Sequence, residues 1–252
     1  MFKDLHLFQA KTASLFKQFT RTILFFAAAT SILITAGCAN VDPHMVQTQT
    51  RGKTIAVASA LGPNLELNWV GTTIFNNEKG TIAVPDWNMD NLAVNSMSSG
   101  LQATQRYAAV NTLSNISRVG EAIPVLPPGS QADYLLLIER WDSGDPMFGT
   151  NQSFHGVGIA QRSFMGLVQT KAHIGVCVTL FDLSIGKSIG VITSFEHWNI
   201  PTRLKSGGNS NLLANQFPVP IIDDLDLDEL QQPITTKLEQ MIVNILGDMG
   251  LR

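Results

Sequence analysis

The sequence predicts an α/β fold of the α+β kind, a single two-layer sandwich in which helices cover one face of a mixed sheet. Residues 132–141 contain five consecutive apolar residues, as in a strand that is covered on both faces. Residues 173–182 and 188–198 alternate in polarity on either side of a short turn, which predicts an antiparallel hairpin. Residues 234–249 repeat apolar side chains at spacings of three and four, which predicts a helix with one inward face.

The first part of the fold begins with a strand at Lys53–Leu61, which Gly62 and Pro63 end. Short strands at Asn68–Phe75 and Gly80–Val84 are expected to form a hairpin. A helix over Met89–Tyr107 follows, for which Asp86 or Asn88 is a suitable N-cap.

The middle of the chain supplies most of the predicted sheet. Ala108–Leu113 and Ala132–Trp141 are predicted strands, separated by a proline-rich loop. Phe154–Val168 is predicted as one long strand despite three glycines, and it begins an antiparallel three-stranded meander with the two alternating runs. In that meander Ile174, Val176, Val178 and Leu180 share one face, and Ile189, Val191 and Phe195 align on the returning strand.

The last predicted element is a helix after an acidic run. Asp223, Asp224, Asp226, Asp228 and Glu229 suit the positive end of a helix dipole, which explains them more simply than a metal site does. Pro233 is expected in the first turn, so the helix is predicted to begin at Leu230 to Gln232. Its inward side chains are Ile234, Leu238, Met241, Ile245 and Met249.

The first 37 residues have the three parts of an export signal. A basic stretch precedes the apolar run Thr22–Ala36, and the small residues Ala36 and Gly37 follow. The run has about 15 residues, whereas a helix needs roughly 20 to span the hydrocarbon core. A cleaved signal peptide is therefore favoured over a permanent transmembrane anchor.

The segment Thr35-Ala36-Gly37-Cys38 resembles the lipobox of bacterial lipoproteins, although Thr35 replaces the usual Leu. The resemblance implies that Cys38 becomes the acylated first residue of the mature protein. It also implies outer-membrane placement with the domain facing the periplasm, because Ala39 rather than Asp follows the cysteine. Residues 1–37 are thus interpreted as signal peptide, 38–51 as a lipidated tether and 52–252 as a single periplasmic α/β domain.

Charge and cysteine content restrict the partners. Four of the 17 basic and one of the 20 acidic residues precede Cys38, so the remainder carries 13 basic and 19 acidic residues, a net charge of −6. An acidic domain is not expected to bind nucleic acid or an anionic membrane surface. Cys177 is the only other cysteine and has no partner once Cys38 is acylated, so it is interpreted as a small core residue.

The order of elements resembles the periplasmic α/β domains of the curli-secretion lipoprotein, of the lipoprotein activators of penicillin-binding proteins, and of the TolB amino terminus. Beyond the lipobox, the resemblance rests on the first strand, the buried strand 132–141, the hairpin 176–192 and the terminal helix. None of these is a specific motif, so only the role of Cys38 transfers.

The sequence offers few catalytic or metal-binding patterns. The segments Asp142–Asp145 and Ser153–Gly156 place Ser143 or Ser153 near His155 and an aspartate, so a triad is conceivable. No G-x-S-x-G motif occurs, however, and loop polarity explains these residues better. His155, His173 and His197 could converge on adjacent strands, but they lack zinc-ligand spacing. No cofactor or metal is predicted, and the chain is not expected to be an enzyme.

The remaining candidate site is an interaction surface. Trp141, Met147, Phe148 and Phe154 flank or occupy the turn-rich loop Asp142–Ser153, where exposed aromatic side chains would indicate partner contact. The alternative is that they fold back onto the sheet edge as a small core.

Three functions follow in order of preference. The first is an envelope lipoprotein that binds another envelope protein as an accessory or scaffold. The second is a subunit of an outer-membrane secretion or surface-assembly complex, a homo-oligomer in which the hairpin of residues 154–182 inserts into the membrane, since barrel strands need about 9 to 11 residues. The third is a hydrolase that uses His155.

Overall fold

A computed structural model describes residues 41–72, 77–114, 116, 124, 126–205, 221–223 and 227–252. These residues belong to one compact unit. The predicted signal peptide and Cys38 lie outside the described residues, as do Asp224 and Asp226 of the acidic run.

The described residues form three α-helices and twelve strands. The helices are α1 (Pro43–Thr50), α2 (Met89–Ala103) and α3 (Leu227–Asp248), and a 3₁₀ turn occupies Pro85–Trp87. The strands are β1 (Thr54–Ala60), β2 (Asn64–Val70), β3 (Glu78–Ala83), β4 (Ala109–Leu113), β5 (Tyr134–Arg140), β6 (Asp142–Gly144), β7 (Ser153–His155), β8 (Val157–Phe164), β9 (Leu167–Asp182), β10 (Lys187–Asn199), β11 (Arg203–Lys205) and β12 (Ile221–Asp223).

The main sheet is mixed and has eight strands. At two positions across it, a pair of shorter strands lies end to end in place of one long strand. β5 and β8 both run antiparallel to β9 and lie end to end along one of its edges, while β10 occupies the other edge. β1 pairs in parallel with β5, and β2 pairs in parallel with β8, so these two strands also lie end to end. β4 pairs with β1 and β3 pairs with β2, so β4 and β3 form the outer edge on that side of the sheet. The predicted α/β sandwich with its antiparallel meander is confirmed.

Two charged side chains form hydrogen bonds with the backbone at the break between β1 and β2. Asp90, in the first turn of α2, accepts hydrogen bonds from Leu61 N at 2.7 Å, from Gly62 N at 3.1 Å and from the Ser59 hydroxyl at 2.7 Å. Arg140, at the end of β5, donates to Leu61 O and, at 2.7 Å, to Asn64 O. The backbone groups that lose their strand partners at this break are thereby satisfied.

All three helices cover one face of the sheet. The apolar side chains of this layer share the inward side of the strands, as the alternation predicts for Ile174, Val176, Val178 and Leu180, all of which are fully buried. The five side chains predicted to face inward from the last helix are buried there too, four on α3 and Met249 directly after it. The opposite face carries two smaller clusters, one built on Ala56, Leu135 and Phe181 and the other under the segment that connects β5 to β8.

Most of the segment predicted as a tether is helical. Residues 43–50 form α1, which Asp42 caps by accepting hydrogen bonds from His44 N and Met45 N at 3.0 and 3.1 Å. Val46 and Thr50 are fully buried, although the segment has no clear apolar period. The stop signal is Gly52 at φ +70°, and the capping aspartate before Pro43 was the overlooked start signal.

Several predicted boundaries are wrong. α3 begins at Leu227, so Pro233 lies inside the helix rather than in its first turn. α2 ends at Ala103 rather than Tyr107, and Asn88 is its N-cap residue without a side-chain capping bond. The predicted strand Phe154–Val168 is divided at Gly156 into β7 and β8 and turns at Met165 and Gly166, because Gly156 and Gly166 have positive φ. A bulge at Ser188–Gly190 moves Ile189 off the face of Val191 and Phe195.

Within the residues that the structure describes, no helix is both long and apolar enough to cross a membrane.

We expect Asp90→Ala to lower the free energy of unfolding by about 3 kcal/mol, since a charged acceptor is lost and two backbone amides are left without it. Urea denaturation measures the change. Asp86→Ala, an exposed acidic residue in the 3₁₀ turn four residues earlier, is the control and should change stability by less than about 0.5 kcal/mol. Equal effects of the two substitutions would contradict the role of Asp90 at the strand break.

Candidate functional site

The face of the sheet that the helices leave uncovered carries a set of basic and amide side chains, which we call the basic face. In the strand register Lys79 lies beside Asn68, and Ala160 lies between Asn68 and Lys171. In the adjacent row Gly158 lies between the acidic Glu66 and His173, and His173 in turn lies beside His197. Arg162 follows Ala160 on β8 and points to the same face, since alternate residues of a strand do so.

The basic face is covered by residues 141–156, which we call the covering loop. It leaves the sheet at Trp141 and returns at Gly156, and both residues stay joined to Gly175 of β9 by backbone hydrogen bonds of 2.8 to 3.1 Å. Its ends pair as the short hairpin of β6 and β7. At the tip of the loop the Asp145 carboxylate accepts hydrogen bonds from Met147 N, Phe148 N and Thr150 N at 2.7 to 2.9 Å, and from the Thr150 hydroxyl.

Three cationic side chains hold the covering loop to the sheet. Lys171 Nζ donates to Met147 O at 2.9 Å, and Arg162 Nη1 donates to Phe148 O at 2.6 Å. Lys79 Nζ donates to Ser153 O at 2.9 Å. Among the described residues none of the three forms a salt bridge, so their hydrogen-bond acceptors there are neutral carbonyl groups. Lys171 also lies over the Phe148 ring, with Nζ 5.3 Å from its centroid.

The predicted partner-contact residues lie on this loop, and three of the four are buried. Met147, Phe148 and Phe154 pack with Val70, Ala160 and Phe195 as a small core. Phe148 and Phe154 make an edge-on ring contact with centroids 6.1 Å apart. These three side chains therefore do not form the exposed aromatic surface that would indicate partner contact. They form a small core on the sheet, which is the alternative that the sequence left open. Trp141 is half-buried, and partner contact by the loop itself stays a prediction.

His173 is the most deeply buried ionisable group of the basic face. It is fully buried between Phe154 and Phe195, with ring centroids 5.6 and 5.7 Å away. Within the described part of the chain neither of its ring nitrogens makes a hydrogen bond of good geometry, and the same holds there for both polar atoms of the Asn68 side chain, which is 1% exposed. Burial lowers the pKa of His173 to about 3, opposed only in part by the backbone of Gly156, so the ring is neutral at pH 7.

A glycine makes room for this histidine. A Cβ on Gly158 would lie 2.6 Å from His173 Nε2 and 2.7 Å from the Glu66 backbone oxygen, closer than real Cβ contacts. The two glycines that flank Val157 are therefore explained by close packing at the start of β8, where Gly156 also adopts a positive φ.

The triad that the sequence makes conceivable forms only in part. His155 Nδ1 lies 3.1 Å from Asp142 Oδ1 across the hairpin of β6 and β7. No hydrogen bond joins His155 to Ser143 or to Ser153 within the described chain, and Ser143 is buried. His155, His173 and His197 do approach one another, since the charges of the other two lower the pKa of His173, but the described residues contain no cluster that could hold a metal ion.

An exposed apolar tip lies at the turn between β8 and β9. Met165 is 82% exposed and Leu167 is 76% exposed, and they are flanked by the exposed side chains of Phe164 and Val168. The Arg162 guanidinium lies 5.2 Å from the Phe164 ring centroid. We call residues 164–168 the hairpin tip; sequence patterning had included them only as part of a longer strand.

The basic face was also missed by sequence reasoning, although one signal for it exists. Residues 157–181 contain Arg162, Lys171 and His173 but no aspartate or glutamate, in a domain whose net charge is negative.

Cys177 of β9 is half-buried, 3.8 Å from the Thr179 hydroxyl, and faces the side away from the helices.

No protein-family model matches the chain, and no curated protein matches it. Among solved structures, a PelC variant dodecamer from Paraburkholderia phytofirmans is 13% identical with a TM-score of 0.32, over 80% of this chain and 88% of that one. A Xanthomonas campestris protein of the DUF330 family is 14% identical with a TM-score of 0.36, over 77% and 80% of the two chains. At such identities and TM-scores the similarity assigns no function.

We expect His173 to make the protein less stable at acidic pH. Its pKa is about 3 in the folded protein and about 6.5 when unfolded, so the unfolded state takes up the proton first as the pH falls. The free energy of unfolding should therefore decline between pH 6.5 and pH 3, by up to about 1.4 kcal/mol per pH unit from this group.

Urea denaturation at several pH values measures that slope in the native chain and in His173→Phe. The variant should keep the contribution of His197, whose pKa burial also lowers, and lose that of His173. Identical pH slopes in both proteins would refute the assignment.

Proposed function

We propose that the chain is an envelope lipoprotein, anchored in the outer membrane through acylated Cys38, whose domain acts as a binding or scaffold component. The basic, apolar and small-residue order before Cys38 supports export and lipidation. The Ala39 that follows supports the outer membrane rather than the inner one, and the periplasm as the compartment of the domain.

The start of the folded domain supports a close link to that membrane. The cap of α1 is Asp42, only four residues after Cys38, so the connecting chain reaches at most about 14 Å. Val41 packs at Gly190, which pairs with Leu180 near the end of β9. The anchored end of the domain is therefore the end at which β9 finishes.

The observation that carries a docking role is the hairpin tip, which lies at the other end of β9. Thirteen residues of extended strand separate Leu167 from Leu180, a distance of about 43 Å. Two apolar side chains on either side of Gly166, 82% and 76% exposed, are typical of a surface that another molecule covers. Because the tip is far from the anchor, we propose that it contacts a second envelope protein rather than the anchoring leaflet.

A second candidate is a subunit of a secretion or surface-assembly complex built from copies of this chain. The observation that favours it is the pair of sheet edges: within the described residues β10 pairs only with β9, and β4 only with β1. Unpaired edges can join strands of neighbouring copies.

Cys38→Ser should abolish acylation and leave the chain unprocessed. Mass spectrometry of the purified native protein is expected to show a diacylglycerol adduct on an amino-terminal Cys38, and membrane flotation should move only the native chain with the lipid fraction. A native chain with a free thiol and an intact amino terminus would refute the proposed anchoring.

A photo-crosslinking residue at position 165 should give one discrete adduct in intact cells. The same residue at position 185, where Ile185 is 60% exposed in the turn between β9 and β10, is the matched control and should not give that adduct. The mass of the adduct separates the two candidates: a different protein supports the accessory role, and twice the chain mass supports the assembly subunit. Adducts of equal yield at both positions would contradict specific docking by the tip.

A further inference from the structure

We propose that the basic face is an anion-binding site, closed by the covering loop, for a ligand that presents phosphoryl oxygens. The proposal is independent of the hairpin tip and of the anchoring at Cys38. It rests on where Lys171 and Arg162 converge, on what they bind in the closed form, and on the unpartnered groups beside them.

The two cationic groups meet at one point. Their side chains start from neighbouring strands, since Lys171 pairs with Ala160, two residues before Arg162. They end on the carbonyl oxygens of two consecutive residues, Met147 and Phe148, at 2.9 and 2.6 Å. The Cα atoms of consecutive residues are 3.8 Å apart, so the two cations bind one short stretch of chain, and we infer that a phosphoryl group could take the place of its two carbonyl oxygens.

The closed form gives these cations only weak acceptors. Lys171 is 9% exposed, and its partners among the described residues are a carbonyl and the Phe148 ring. Hydrogen bonds between two ionised groups are stronger than those from a cation to a neutral carbonyl, and a guanidinium suits phosphoryl oxygens geometrically. An anion that replaced the two loop carbonyls would therefore gain stronger bonds to the same donors.

Polar groups beside the cations await partners as well. Asn68 is next to Ala160 in the register and is 1% exposed, and within the described residues neither its amide nitrogen nor its amide oxygen has a hydrogen-bond partner. Arg162 Nε is also buried without a partner in this part of the chain, and neither ring nitrogen of His173 makes a hydrogen bond of good geometry there. Buried polar atoms without partners are rare because leaving them unsatisfied is destabilising, and their grouping on one face points to a ligand.

Opening requires that the tip of the covering loop leave the sheet, which also withdraws Met147 and Phe148 from the small core. The fold of that tip is local, because Asp145 accepts hydrogen bonds from three amides and one hydroxyl within the next five residues. The ends of the loop stay attached at Trp141 and Gly156 through the backbone of Gly175. The loop can therefore move as a flap without loss of the sheet.

The test is titration of the full-length chain in neutral detergent with inorganic phosphate at constant ionic strength. Lys171→Met should weaken binding by about tenfold, as the loss of one charge-assisted hydrogen bond implies. Lys187→Met, which removes an exposed lysine at the start of β10, is the matched control and should leave the affinity unchanged. Arg162→Lys keeps the charge and the fold while removing the planar fork, and should also weaken binding.

A second variant tests the flap. Asp145→Ala loosens the loop tip, so it should tighten phosphate binding several-fold, because less of the binding energy is spent on opening. Hydrogen exchange at Met147, Phe148 and Thr150 should increase when phosphate binds to the native chain. Equal phosphate affinities in Lys171→Met and Lys187→Met would overturn the site, and an unchanged affinity in Asp145→Ala would overturn its closure by the loop.

A parallel titration with soluble dihexanoyl phosphatidylglycerol distinguishes a free phosphate from a lipid headgroup. Tighter binding of the lipid with the same loss in Lys171→Met assigns the site to a headgroup, and tighter binding of inorganic phosphate assigns it to a free ligand. Lipid binding that is insensitive to Lys171→Met, without any phosphate binding, would reject the proposal.

Discussion

The sheet depends on how Arg140 and Asp90 close the break between β1 and β2. Asp90 accepts from Leu61 N and Gly62 N, and Arg140 donates to the carbonyl groups on the two sides of Pro63. The chain therefore passes from β1, which pairs with β5, to β2, which pairs with β8, without leaving backbone groups unsatisfied. The same Arg140 side chain packs against Gly156, where the covering loop returns, so one residue joins both interruptions.

The break between β5 and β8 creates the candidate site. An uninterrupted strand would pass directly from β5 to β8 along β9, and the face above it would be open. Instead the chain leaves at Trp141 for a loop that covers Lys171, Arg162 and His173 and then resumes the same edge. The cationic side chains and the imidazole are thus buried because the strand is broken at this point. The polarity pattern of the strands themselves does not bury them.

Sequence patterning predicted the elements whose residues interact locally. The meander, the buried strand and the terminal helix follow from side-chain alternation or helical spacing, which tertiary contacts here reinforce. The α1 helix was missed because its short, polar segment is stabilised by Asp42 and by docking of Val46, and Pro233 was misplaced because it is tolerated inside α3. The basic face could not be predicted, because Lys79, Arg162 and Lys171 come together only through register between strands that are distant in sequence.

The placement of the two exposed and charged features along β9 separates their roles. The hairpin tip and the basic face occupy the half of the molecule that contains β2, β3 and β8, whereas Val41, just before α1, lies in the other half, near Gly190. Under the proposed anchoring at Cys38, a connection of four residues would keep this second half close to a bilayer. A molecule that binds the tip or the basic face would then approach from the half that the proposed anchor leaves free.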